Sequence, residues 1–271
     1  MKPGITFRLR RLAPAAALGA VAASAVVASA QGRGRYSGDV PWCFTPDECP
    51  RTPYDGRFTF VRLFFETRRG GYGRGFGAGG EPPWHHDRPY AERNLSSIIR
   101  EISTVSTFDG PTGGNVLGLD DAELFRYPVV WVSEPGYWVP TDGEVAAFRD
   151  YLLKGGFAIF DDFDGEHIDN LLEQMQRVLP ELRPIQLTGE EPIFHSFFDI
   201  ELAALRMNQT GQTYWGLFED NDISKRQLAV MNHNNDIGEY MDYNATGFAP
   251  VDLSNEAYKL GVNYMVYALT H

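Results

Sequence analysis

Apolar runs and amphipathic stretches alternate along the chain from residue 58 onward. Continuous apolar runs at residues 58–66, 127–134 and 157–163 predict strands that are buried on both faces, and residues 129–132 and 157–160 are expected to be central parallel strands. Segments 90–105, 141–154 and 167–179 carry the apolar spacing or the capping residues of helices. This alternation of strand and helix is typical of α/β proteins with a mainly parallel sheet.

The second half of the chain has shorter apolar runs, at residues 183–187, 214–218 and 228–232, before a helix predicted over residues 255–269. One doubly wound α/β domain over residues 58–271 accounts for all of these segments.

The first thirty residues have the pattern of a secretory signal. A basic start is followed by an Ala-rich apolar run at 12–27 and by small residues at 28–30, so cleavage would leave Gln31 as the first residue. An uncleaved anchor is the alternative, but the run is shorter than the roughly 20 residues of a spanning helix. Arg10 and Arg11 also leave twin-arginine export open. We expect an exported protein, periplasmic or extracellular, with no stable membrane span after cleavage.

Residues 31–57 are rich in Gly, Pro, Arg and Asp and predict an irregular surface lead-in to the folded domain. This segment contains both cysteines of the chain, Cys43 and Cys49. In an oxidising compartment they are expected to form a disulfide. Zinc binding is the weaker alternative, because two cysteines without a nearby histidine do not complete a four-ligand site.

The composition supports a folded, acidic protein. Hydrophobic residues make up 43% of the chain, which is enough for a substantial core. With 24 Lys and Arg against 36 Asp and Glu, the formal net charge is −12, and removal of the basic signal would make the chain still more acidic. Such a surface gives nucleic-acid phosphates little attraction, so a nucleic-acid partner is disfavoured.

A glycine-rich tract at residues 69–80 predicts a loop after the first strand. Gly75, Gly77 and Gly80 formally match the G-x-G-x-x-G fingerprint of dinucleotide-binding turns. That fingerprint requires a helix at the third glycine, whereas Glu81 and two prolines follow here. We therefore predict no nucleotide cofactor, and expect this loop to cover a pocket.

Polar residues concentrate where the predicted strands end, which is where open α/β sheets bind their ligands. The predicted ligand-binding residues are Trp84, Asp87, Glu134, Asp162, Asp164, His195, Asn235 and Asp236. Of these, Asp162, Asp164, His195 and Asp236 are expected around one cleft, roofed by residues 70–80 and Trp84.

Each of these features has a structural alternative. The spacing of Asp162, Asp164 and Glu166 suits a hard divalent cation, but carboxylates are also favourable at the start of the helix that follows. Adjacent Asp161 and Asp162 should point to opposite faces of a regular strand, so only one needs to reach the pocket. His195 fits a core position or a pocket equally well, and the polar run 232–236 fits either a tight turn or a binding loop.

Five segments, at residues 90–95, 144–163, 192–199, 234–240 and 257–263, resemble the bacterial domain-of-unknown-function family 4159, of the class I glutamine amidotransferase-like superfamily. The resemblance implies a flavodoxin-like three-layer sandwich and no established reaction. Active amidotransferases place a cysteine on the turn after a central strand, but here that turn has neither Cys nor Ser. Ser133, the other nucleophile-like residue, lacks the G-x-S-x-G setting. Glutaminase chemistry by that route is therefore excluded.

Two functions are consistent with these observations. The first is a non-catalytic binding domain for a carbohydrate, peptide or protein ligand in the cell envelope, with no catalytic residue and no metal. The alternative is a divalent-metal-dependent hydrolase that uses the carboxylate and histidine residues.

Overall fold

A sheet of seven strands lies at the centre of the part of the chain that is described. The computed structural model describes residue 43 and residues 45–67, 82–205, 211–243 and 249–271. The strands are β1 (Phe60–Phe64), β2 (Gly114–Gly118), β3 (Val129–Ser133), β4 (Phe157–Phe163), β5 (Ile185–Gln186), β6 (Thr213–Phe218) and β7 (Gln227–His233). Their order across the sheet is β2-β1-β3-β4-β7-β6-β5.

The sheet is mostly parallel, which confirms the predicted α/β class. β3 and β4 pair in parallel from Val129 opposite Phe157 to Ser133 opposite Asp161. β1 is parallel to β2 and β3, and β4 is parallel to β7, whereas β6 is antiparallel to both β7 and β5. The carboxyl ends of β1, β3, β4 and β7 therefore meet at one edge of the sheet.

Helices cover both faces of the sheet. They are α1 (Tyr90–Ile102), α2 (Asp142–Leu153), α3 (His167–Val178), α4 (Ile237–Asp242) and α5 (Val251–Thr270). Alternate residues of β3 point to opposite sides, so Val130 packs with residues of α2 and α3, while Trp131 packs with residues of α1 and α5. The predicted capping box at the start of α2 is present, because Thr141 Oγ1 accepts from the Glu144 amide and Glu144 accepts from the Thr141 amide.

The N-terminal segment packs against the sheet. Cys43 and Cys49 form the expected disulfide, with an S–S distance of 2.04 Å. Both cysteines are buried among core residues, and Asn115 of β2 donates to the Thr52 carbonyl and accepts from its amide. The two cysteines are thus buried, whereas Arg51 and residues 53–56 of the lead-in are exposed.

The proposed secretory signal at residues 1–30, the lead-in residues 31–42 and 44, and the glycine-rich loop at 70–80 lie outside the described residues. Among the helices that are described, none combines the length and the apolar character needed to cross a bilayer.

Candidate metal centre

Four side chains converge at the carboxyl edge of the sheet. One ligand atom from each of His86, Asp87, Asp162 and Asp236 can be chosen so that all four lie within 4.8 Å of one another. His86 and Asp87 belong to the segment between β1 and α1, Asp162 lies at the end of β4, and Asp236 follows β7. The parallel topology brings these distant segments together.

An irregularity at the end of β4 decides which aspartate reaches the cluster. The pairing of β4 with β7 shifts between Phe160 and Phe163, and Asp162 adopts a left-handed backbone with φ 61°. Asp161 remains buried, where it accepts from Asn232 Nδ2 at 3.1 Å and from the Gly238 amide at 2.9 Å. Asp162 instead turns toward the cluster, and its Oδ2 lies 2.5 Å from His86 Nδ1.

Asp87 carries a buried oxygen that has no hydrogen-bond partner. Asp87 is 7% exposed and has a left-handed backbone with φ 64°, and its Oδ2 accepts no hydrogen bond. Gly238 lies directly opposite, and a Cβ added there would overlap Asp87 Oδ2. A buried carboxylate oxygen without a donor is costly, so the site lacks a positive partner at this point.

Asp236 is fixed by its own turn. Its Oδ1 accepts from the Glu239 amide at 2.8 Å and caps α4. The neighbouring Asn235 is buried, donates to the Tyr214 hydroxyl at 3.0 Å and accepts from the Asp236 amide at 3.1 Å. Asn235 therefore holds the turn in place, while Asp236 faces the cluster.

Burial and mutual repulsion disfavour the charged carboxylates. Burial is the main cause that raises the pKa of Asp87 and Asp236 well above the usual value, and the charge of Asp162 adds to it. Burial also raises the pKa of Asp161 to about 7. For His86, burial acts to lower the pKa, but the hydrogen bond to Asp162 and the surrounding carboxylates outweigh it and raise the pKa to about 10.

The donor set fits a divalent cation. Ligands on opposite sides of such an ion lie about 4–5 Å apart when the bonds are about 2.0–2.5 Å long, which matches the spacing of the cluster. Three carboxylates and one imidazole suit ions such as Mn²⁺ or Zn²⁺. A cation would also neutralise the excess negative charge and give Asp87 Oδ2 its missing partner.

Glu134 lies beside the four ligands. It follows β3 with a left-handed backbone of φ 52°, and its Oε1 is 4.0 Å from His86 Nδ1. Burial, followed by the charge of Asp162, raises its pKa to about 8. Asp164 is further out, with its side chain 72% exposed and 3.7 Å from His167 Nδ1.

Two other predicted residues, Trp84 and His195, make their described contacts with residues outside the cluster. Trp84 is fully buried and packs edge-on against Phe64, so its ring belongs to the core instead of forming a wall for a ligand. His195 is exposed, where its ring nitrogens face the Gly189 carbonyl at 2.8 Å and Asp199 at 3.3 Å. It follows β5, the edge strand that is three positions from β4 in the sheet.

His86 and Arg62 are the residues that the sequence reasoning did not select. His86 stands between His85 and Asp87 after the glycine-rich tract, but of this stretch only Trp84 and Asp87 are among the predicted ligand-binding residues. Arg62 had a detectable signal, a single charge within an apolar strand, and the structure buries it at 1% exposure. It donates to Ser133 Oγ, and Ser133 is itself fully buried, so this serine is not available as a nucleophile.

Comparison with curated proteins finds no match to the chain. Comparison with protein-family models finds one described as Domain of unknown function (DUF4159), which matches residues 74–269 and so includes all four residues of the cluster. The match extends over well more than half of the sequence, and the chain therefore belongs to this family of domains of unknown function.

Proposed function

We propose that the domain is a divalent-metal-dependent hydrolase whose ion is held by His86, Asp87, Asp162 and Asp236. The observation that carries this proposal is the convergence of four ligand atoms within 4.8 Å, at a site where Asp87 Oδ2 is also buried and unpartnered. A metal ion is the partner that satisfies both the geometry and the charge of this cluster.

The surrounding residues suit direct attack by water. A bound divalent ion would lower the pKa of water and polarise a carbonyl or phosphoryl oxygen. Glu134 lies at 4.0 Å from His86 and is placed to accept a proton from a water molecule at the cluster. Ser133, the residue before Glu134, is fully buried, so its hydroxyl is not available for attack on a substrate. This disfavours a covalent intermediate at the end of β3.

The wider setting of the domain is also proposed. The mainly parallel sheet with helices on both faces supports a flavodoxin-like sandwich of the glutamine amidotransferase-like superfamily. The disulfide supports export to the periplasm or beyond, after cleavage of the signal at residues 1–30. A substrate in the cell envelope, such as a carbohydrate or a peptide, follows from that location.

The second candidate is a non-catalytic domain that binds a carbohydrate, peptide or protein ligand through the same edge. The observation that favours it is the lack of an available nucleophile at these two strand ends, since the turn after β4 has neither Cys nor Ser and Ser133 at the end of β3 is fully buried. In this case the cluster would bind a ligand without turnover.

Hydrolysis assays separate the two candidates. Protein stripped with EDTA and then reloaded with Mn²⁺ or Zn²⁺ would be tested on chromogenic esters, phosphoesters, glycosides and peptides. We expect metal-restored turnover of one class, which Glu134→Gln lowers by roughly 10²–10⁴-fold without loss of the metal. Asp164→Asn, at the exposed rim, is the matched control and should retain activity. Metal binding without turnover of any class would favour the binding domain.

A further inference from the structure

A buried arginine lies behind the proposed metal site. Arg62 is on β1 at 1% exposure, with Nε 2.8 Å and Nη2 2.6 Å from Glu92 Oε1 of α1. Its Nη1 donates to the His86 carbonyl at 2.8 Å and also to Ser133 Oγ. One guanidinium therefore joins α1, the segment that carries the ligands His86 and Asp87, and the end of β3.

The contacts of Arg62 fall directly beside the functional groups. The His86 carbonyl belongs to the residue that supplies the imidazole, and the peptide that follows it leads to Asp87. Ser133 immediately precedes Glu134. Because the guanidinium is a planar fork with fixed donor directions, it constrains the positions of all three acceptors at once.

Stability alone is a weak explanation for this arrangement. Taking a buried ion pair out of water costs about as much as the pair regains, and well-packed apolar residues often replace such a pair without loss of stability. What apolar residues cannot supply is the direction of the hydrogen bonds to His86 and Ser133.

We propose that Arg62 is a positioning residue that sets the geometry of the metal site by holding the backbone at His86 and the turn that presents Glu134. This inference rests on the proposed metal site and adds to it a residue that touches neither ion nor substrate.

The chain offers a matched control. Arg226, 17% exposed, also pairs with a carboxylate, Glu219, at 2.9 Å and donates to the carbonyls of Leu152 at 2.8 Å and Gly156 at 3.3 Å. It immediately precedes β7 and so lies at the opposite edge of the sheet from the cluster.

The test compares Mn²⁺ affinity, by isothermal titration calorimetry, with the thermal midpoint of the metal-free protein. Arg62→Met with Glu92→Leu removes both charges of the pair, and Arg226→Met with Glu219→Leu does the same at the other edge. Glu92 also interacts with the buried Arg88, so a variant that keeps Glu92 is measured beside the first. We expect the first variant to lose roughly 10- to 100-fold in Mn²⁺ affinity, as for other residues that orient metal ligands, and the second to keep wild-type affinity. Arg62→Lys retains the charge, so it covers the case in which the double variant does not fold. Arg62→Lys should also bind Mn²⁺ more weakly, because an ammonium group cannot reproduce the fixed donor directions of the planar guanidinium.

Wild-type affinity in either Arg62 variant, or equal losses in the Arg62 and Arg226 variants, would overturn the positioning role and leave the metal site intact. If wild-type protein binds no Mn²⁺, the proposed function itself fails and the positioning role fails with it.

Discussion

His86 Nδ1 and Asp162 Oδ2 lie 2.5 Å apart, although 76 positions separate the two residues in the chain. The contact joins the segment after β1 to the end of β4, two strands that have β3 between them. It places an imidazole against a carboxylate at a point where Asp87 and Asp236 add two further buried acids. The predictions below test whether this convergence is a metal site.

Asp87→Asn should have opposite effects on stability and on metal binding. The amide cannot ionise, so it avoids the buried negative charge that the raised pKa of Asp87 shows to be unfavourable. It also supplies a donor for the neighbouring carboxylates and fits the left-handed backbone at φ 64°. We expect the free energy of unfolding of the metal-free protein to rise by about 1–3 kcal/mol, and Mn²⁺ affinity to fall. Chemical denaturation and calorimetry would measure the two effects. Asp164→Asn, at an exposed site, is the control that should change neither. A less stable Asp87→Asn that still binds Mn²⁺ would refute the role of Asp87.

Gly238→Ala should disturb the metal site by steric overlap, without any change of charge. Alanine is favoured over glycine within a helix by about 1 kcal/mol, but the added Cβ at Gly238 would overlap the Asp87 carboxylate. We expect a lower thermal midpoint and weaker Mn²⁺ binding. The matched control is Gly143→Ala in α2, where the nearest atom to an added Cβ is Thr141 Oγ1 at 3.9 Å. That variant should be as stable as wild type or more so. Equal behaviour of the two variants would argue against close packing at Asp87.

The pH dependence of the metal-free protein follows from the raised pKa values. Burial raises the pKa of Asp161 to about 7 and that of Glu134 to about 8, so the folded state holds these protons more tightly than the unfolded state. Their contribution is complete below the unfolded pKa values of 3.8 and 4.5, and it is lost as the pH rises through about 7 and 8. His86, with its pKa raised to about 10, acts in the same direction at higher pH. Thermal melts in EDTA should therefore show a midpoint that falls from pH 5 to pH 8. A midpoint that rises over this range would contradict the buried cluster.

The disulfide should stabilise the fold. Cys43 and Cys49 are buried in the core, and their bond closes a short loop. Replacing both by alanine should lower the free energy of unfolding by about 2–3 kcal/mol, from the restored chain entropy of the unfolded state. Guanidinium titrations of wild type and variant would measure the difference. An unchanged midpoint would show that the lead-in contributes nothing to stability.

The parallel centre of the sheet could be predicted because β3 and β4 are continuous apolar runs. β2 could not, since Gly114–Gly118 begins and ends with glycine and resembles a turn. The structure gives the reason for Gly114: an added Cβ would overlap the Phe60 carbonyl on the adjacent strand. The glycine is there for close approach of two strands, which only the pairing reveals.

The sequence predicts which segments meet at the candidate site, but it does not predict which of their side chains face the cluster. Asp87 and Asp236 follow strands and Asp162 lies at the end of β4, so topology places them at one edge. That Asp162 and not Asp161 faces the cluster depends on a local shift in the pairing of β4 with β7. The choice between His86 and His195 depends on the order of the strands, because β5 lies at the far side of the sheet. Neither property can be read from residue spacing.

Equilibrium dialysis against Mn²⁺, followed by elemental analysis, tests the metal site most directly. Wild-type protein stripped with EDTA should take up one ion per chain. Asp162→Asn combined with Asp236→Asn, which removes two of the four ligands, should take up none while it keeps a cooperative melting transition. Wild-type protein that stays free of manganese at millimolar concentrations of the free ion, or a double variant that binds it as wild type does, would contradict the metal site.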